Sequence, residues 1–212
     1  MRFLLVFVFT LTAVFGYAHQ GGLDSKGGHT DRKTGVYHCH KSTCIERATL
    51  DSGEYNRDDW PHWSDLDGDC MNTRHEMLLA QVDGAINLSP DGCYVNTGTW
   101  KDPFSGKVFH RASELDVDHI IPLKWAHDHG GAQWTKIQKE AFANDPLNLL
   151  VVDDGLNQSK GAKGPNEWLP PNQAYRCEYL ARWQTILKKY PTLKMTSAEN
   201  RIFNTLNHAC IK

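Results

Sequence analysis

All six cysteines of this 212-residue chain lie downstream of an apolar N-terminal leader: Cys39, Cys44, Cys70, Cys93, Cys177 and Cys210. That arrangement constrains the fold more than any other feature. Met1 and Arg2 supply one positive charge, residues 3–15 carry no polar side chain but Thr10 and Thr12, and Gly16-Tyr17-Ala18 offers small residues for a cut after Ala18. This is the three-part layout of a secretory signal peptide, and its apolar run is shorter than the ~20 residues of a membrane-spanning helix. The chain is therefore expected to be exported, secreted or periplasmic, with no membrane contact once the leader is removed. An even number of cysteines in an exported chain reads as disulfides. Pairing sequence neighbours gives Cys39–Cys44, Cys70–Cys93 and Cys177–Cys210, with the connectivity open.

Composition adds one asymmetry. Residues 1–100 carry 8 Lys/Arg against 13 Asp/Glu, whereas residues 101–212 carry 15 against 12. Only the second half has the sign suited to a polyanion, and the excess permits a nucleic-acid partner without requiring one. Helices are expected over residues 71–82, 134–144, 153–160, 174–190 and 196–208, the last opened by Thr196 with Glu199 three residues on, a capping box. Strands are expected over 93–100, 115–123 and 147–152. His127 and His129 read as surface residues, and Trp168, Tyr175 and Trp183 as core. The class is α+β.

The chemistry concentrates between Asp116 and Lys163. Asp118-His119 ends one strand, Asn148 opens the next, and Asn157 and Lys160 share one face of the helix that follows. Phosphodiester hydrolysis needs a base near neutral pH, which an imidazole supplies, and a cation to stabilise charge. Asp118 and the side-chain carbonyl of Asn157 are hard oxygen donors of the type such a cation takes. Adjacent strand residues face opposite ways, so Asp118 and His119 can flank one phosphate only if the backbone bends there. Asn148 has the donors and acceptor to clamp the loop carrying His119, and Lys160 could meet phosphate as a point charge.

The runs DVDHIIPL, NLLVV and NQSKG resemble the core of HNH endonucleases. Over roughly residues 54–210 the chain is similar to the secreted, disulfide-bearing members, including YNRDDWPHW, DGDCMNTRHE and EWLPPNQAYRCEYLARW. The resemblance implies a ββα-metal (HNH, His-Me finger) core within a disulfide-stapled, largely helical α+β domain. With the leader (1–18) and a small Gly/His/Cys-rich module (19–48) set apart by their own composition, it assigns residues 49–212 to a nuclease domain. It implies His119 as general base, Asn148 as the asparagine orienting it, Asp118 as a metal ligand and Asn157 at the third motif position. That position is often histidine, so the chain is an HNN-like variant. Asparagine there favours Mg²⁺, with Mn²⁺, Ca²⁺ and Zn²⁺ as alternatives. DNA is the expected substrate and RNA the second. Arg74 and Glu76 match family landmarks with scaffold or phosphate roles.

Two other segments carry weaker signals. His29, His38, Cys39 and His40 could form a separate Zn²⁺ site, or Cys39 could staple a metal-free knot. Asp65, Asp67, Asp69 and Glu76 stand at positions 1, 3, 5 and 12 of a calcium loop, but Cys70 occupies the place of its obligatory glycine, and a disulfide landmark explains the segment better. The rival to an enzyme is a catalytically silent module that captures metal or a surface polymer on an HNH-like scaffold.

Overall fold

The computed structural model describes residues 22–24, 27–30, 37–40 and 53–210. The leader expected over residues 1–18, and Cys44 with its expected bond to Cys39, lie outside these. Among the described residues three small antiparallel sheets form. Strands β1 (Gly28–Thr30) and β2 (Tyr37–Cys39) pair as one; β3 (Asn87–Leu88), β4 (Val95–Lys101) and β5 (Val108–Arg111) form a second; β6 (Leu115–His119) and β7 (Leu149–Asp153) form the third. Helix α1 (Thr73–Ala80) precedes the second sheet. Helices α2 (Leu123–Asp128) and α3 (Lys136–Ala143) lie between β6 and β7, α4 (Asp154–Lys160) follows β7 directly, and α5 (Arg176–Lys189) and α6 (Ser197–Ala209) close the chain. The architecture is mixed α and β.

The β6–β7 pair sits between two cores. Leu115 and Val117 of β6, with Leu149 and Val151 of β7, pack against Met77 and Leu78 of α1 and Trp100 of β4. The alternate residues of β7, Leu150 and Val152, join a larger cluster with Trp125, Phe142, Tyr179 and Trp183. Burial on both faces explains why β7 reads as an unbroken apolar run. On β6 the residues alternating with Leu115 and Val117 are Asp116 and Asp118, so its second face is acidic.

The strand expected over residues 115–123 stops at His119: Ile120 N still bonds the Asn148 carbonyl in register, and Ile121 N then leaves the ladder for the Asn148 side chain. Pro122, read as a stop, also starts α2. Its φ of −59° suits the entry to a helix as well as the exit from a strand. That helix overturns the reading of His127 and His129 as surface residues. His127 is buried, with Nε2 2.9 Å from the Gly53 carbonyl, and His129 stacks on Trp125 at 3.7 Å and bonds Glu199 at 3.0 Å. Trp168, Tyr175 and Trp183 do belong to the core.

Disulfides Cys70–Cys93 and Cys177–Cys210 are both present. The first ties the turn before α1 to the loop before β4; the second ties the first turn of α5 to the end of α6. At the start of α6 the Thr196 hydroxyl accepts from Glu199 N at 3.3 Å, and the Glu199 carboxylate accepts from Thr196 N at 2.7 Å. Thr196→Ala is expected to lower unfolding free energy by about 1 kcal/mol in urea titration, with Thr196→Ser close to the parent.

Candidate active site

The site begins where β6 ends. His119 faces Leu149 in the ladder, and beyond it the fully buried Asn148 grips the departing chain. The Asn148 carbonyl accepts from Ile120 N, its Oδ1 accepts from Ile121 N at 2.8 Å, and its Nδ2 donates to the Ile121 carbonyl at 3.2 Å. The two side-chain bonds fix the bend that a plain strand would not allow.

His119 is itself buried, with Nε2 2.8 Å from the backbone carbonyl of Ala143. A carbonyl can only accept, so Nε2 carries the proton and Nδ1 keeps its lone pair. Burial pushes the imidazole down to about 3, against the opposing effect of the Ala143 bond. The ring is neutral at ambient pH.

Asp118 lies on the opposite face of β6 and is buried. Its Oδ1 accepts from Lys160 Nζ at 2.8 Å, and the same ammonium donates to the His119 carbonyl at 2.8 Å. Burial raises the Asp118 carboxyl above its ordinary range, with the Lys160 charge pulling it back. The second carboxylate oxygen, Oδ2, is buried with no hydrogen-bond partner among the described residues.

Lys160 was expected to reach phosphate from an open helix face. It is instead fully buried, because α4 packs that face onto β6, and its charge is committed to Asp118. Asn157, one turn earlier, directs Nδ2 to Asp116 Oδ2 at 3.1 Å, a bond that does not involve its carbonyl oxygen. Asp116 also takes Arg74 at 3.2 Å, and Arg74 reaches the Leu115 carbonyl at 2.8 Å.

These groups open onto one cavity of about 220 Å³ lined by Arg57, Trp63, Asp116, Asp118, His119 and Asn157, among others. The structure thus gathers Asp118, His119 and Asn157 around a shared space, with Asn148 and Lys160 bracing it from behind. Three lining residues escaped the sequence reading. Asp116 was legible in principle, since it stands two before Asp118 on a strand and must share its face. Arg57 and Trp63 come from a distant loop; the YNRDDWPHW run that holds them carries the family resemblance, but nothing local places it at the cavity.

The other candidate centres stand apart. The rings of His29 and His40 are 4.9 Å between centroids, while the side chains of His38 and Cys39 lie outside the described residues. Carboxylate oxygens of Asp65, Asp67 and Asp69 cluster within 4.8 Å. Those of Asp65 already accept from the amides of Gly68 and Cys70, as a tight turn requires.

Residues 76–204 match the model of the C-terminal domain of GmrSD restriction endonucleases. The chain belongs to this nuclease-related family. The GmrSD-type span includes Asp116, Asp118, His119, Asn148, Asn157 and Lys160, and leaves Arg57, Trp63 and Arg74 outside it. The chain is also 40% identical over 159 residues to an "uncharacterized secreted protein" of Arthroderma benhamiae, a match covering 74% of this chain and 76% of the relative. The relative is secreted, and this chain is exported, as its leader led us to expect. Among the described residues no helix is long and apolar enough to cross a membrane. No solved structure matches it.

The buried pair makes a testable demand on stability. Lys160→Met strands the Asp118 carboxylate, and a loss of about 3–5 kcal/mol is expected by denaturant unfolding. Pairing it with Asp118→Asn is expected to recover most of that loss; a double variant as unstable as the single one would assign the cost to packing.

Proposed function

We propose that the chain is a metal-dependent endonuclease that hydrolyses phosphodiester bonds of DNA, with RNA as a second substrate, on a ββα-metal core of HNH type. The observation that carries this is the imidazole of His119. It is neutral, its tautomer is set by the Ala143 carbonyl, and it lines one cavity with Asp116, Asp118 and Asn157 at a strand–strand–helix junction. Membership in a nuclease-related family supports the same reading.

The donor set suits a hard divalent ion. Asp118 and Asn157 would hold it, Asp116 stands beside them, and all three offer oxygen, the preference of Mg²⁺. The partnerless buried Oδ2 of Asp118 fits this role, since such an atom is costly unless something compensates it. When bound, the ion would offset charge on the phosphate and the departing oxygen.

The chain's own residues do the rest. Nδ1 of His119 takes the proton from the attacking water. An imidazole near 3 is a weak base, and an anionic phosphate beside it strengthens it by favouring the protonated ring. Asn148 keeps the His119 loop from relaxing into the ladder. Lys160 acts through Asp118 as a positioning residue, holding one oxygen so that the other stays aimed.

The test is nicking of circular DNA by purified protein across Mg²⁺, Mn²⁺, Ca²⁺ and Zn²⁺. EDTA is expected to stop it. His119→Ala is expected to slow it by about 10²–10⁴-fold with thermal unfolding close to the parent. Parental rates in that variant would exclude His119 as the base, and no nicking with any ion would favour the silent binding module.

A further inference from the structure

The family-matched span leaves one wall of the cavity unexplained. Arg57 and Trp63 reach it from a loop that precedes the span, and the loop is held there at a cost. Trp63 has φ of +58°, a left-handed backbone that a bulky side chain rarely adopts. Such a conformation is strained and persists only where its surroundings over-determine it.

Here they do. The buried Asn144 grips the chain on both sides of Trp63, donating from Nδ2 to the Pro61 carbonyl at 2.9 Å and accepting at Oδ1 from Ser64 N at 3.0 Å. The Ser64 hydroxyl adds a bond to Glu140 at 2.7 Å, and the Ser64 carbonyl accepts from Thr73. Glu140 and Asn144 belong to the end of α3, which also supplies the Ala143 carbonyl to His119.

The enforced pose puts the half-buried indole face to face with the base. The Trp63 and His119 rings lie 5.4 Å apart and 26° from parallel. Next to it, His62 holds Nδ1 2.9 Å from the Trp60 carbonyl, so that nitrogen donates and Nε2 is left to accept from the Arg57 guanidinium at 3.4 Å. Burial lowers the His62 imidazole, in keeping with a neutral acceptor. Arg57 is exposed and is the basic side chain lining the cavity; Arg74 and Lys160 are turned to Asp116 and Asp118.

A guanidinium and a flat indole beside a catalytic imidazole match two parts of one ligand, the phosphate and the flanking base. We propose that Trp63 and Arg57 form a reading wall for a single unpaired nucleotide next to the scissile bond, which makes single-stranded or locally opened nucleic acid the substrate class. The reason is geometric. Base faces within a duplex are covered by their neighbours, so an indole can stack only on a base that has left the helix, as aromatic platforms for single strands do. This inference rests on the phosphodiesterase reading.

Binding tests it without catalysis. Fluorescence anisotropy in EDTA compares a labelled single strand, its duplex, and an oligomer of equal length built from abasic nucleotides. The parent is expected to bind the single strand about tenfold tighter than either of the others, the scale of one base–aromatic stack. Trp63→Ala is expected to raise Kd for the single strand by about tenfold while leaving the abasic oligomer unchanged, and Trp63→Phe to retain most of the affinity. Arg57→Ala is expected to weaken base-bearing and abasic oligomers alike and to flatten the salt dependence. Equal losses on both single strands in Trp63→Ala, no loss on either, or a duplex bound as tightly as the single strand would overturn the proposal. Cleavage by the parent in Mg²⁺ or Mn²⁺ is scored separately. Discrimination without cutting removes the hydrolysis and keeps the nucleotide wall; cutting without discrimination does the reverse.

Discussion

The last carbonyls of an α-helix have no partner within the helix and must find one elsewhere. At the end of α3 that requirement organises the candidate site. Ala143 gives its carbonyl to His119, and the next residue, Asn144, shares its side chain between the Glu140 carbonyl of its own helix and the loop around Trp63. One helix terminus thus sets the tautomer of the imidazole and the position of the ring that faces it. α3 is itself fixed at its other end, where Thr135 and Gln138 cap each other across the first turn. A shift of the helix along its axis would disturb both rings together.

The two acidic residues of β6 are braced in different ways, and the magnitudes say which brace matters more. Asp116 meets Arg74 with the carboxylate side chain 38% exposed, whereas Asp118 meets Lys160 with 3% exposed. A solvated pair contributes about 0–1 kcal/mol, but breaking a buried pair costs several times that, because one charge is left in a poor solvent. Asp118 is therefore fixed by the architecture, while Asp116 can give up Arg74 or Asn157 at little cost when a ligand enters. The rigid carboxylate is also the one with an oxygen lacking a partner, and the adaptable one lies next to it.

Local chemistry was readable from the sequence, and distant chemistry was not. The capping box at Thr196, the pairing of Cys70 with Cys93 and of Cys177 with Cys210, and the strand–strand–helix order around Asp118, Asn148 and Asn157 each follow from residues close together in the chain. The burial of Lys160 does not, since it depends on how α4 docks against β6, and an isolated lysine on a short helix gives no sign of it. His127 and His129 misled for the same reason: a polar, glycine-ended stretch looks solvated until Gly53 and Glu199 are brought to it. Trp63 is the extreme case. Its conformation runs against its own propensity and is imposed by Asn144, 81 positions later in the numbering.

Export shapes how this arrangement is held. The candidate site uses oxygen and nitrogen groups only, so the oxidising conditions that form disulfides do not compete for its ligands. The two staples lie on the elements that brace β6 and β7 from outside. Cys70–Cys93 anchors the turn that opens α1, the helix carrying Arg74 toward Asp116, and just past that helix Gln81 closes the outer edge of β7 by accepting from Val151 N at 3.0 Å and donating to the Leu149 carbonyl. Cys177–Cys210 anchors α5, whose Arg182 reaches that same Leu149 carbonyl at 3.4 Å. An edge strand left open would invite pairing with another chain. Here it is closed by side chains from two cross-linked elements, and the residue they hold is the one directly after Asn148, so the staples act on the His119 loop through the strand that clamps it.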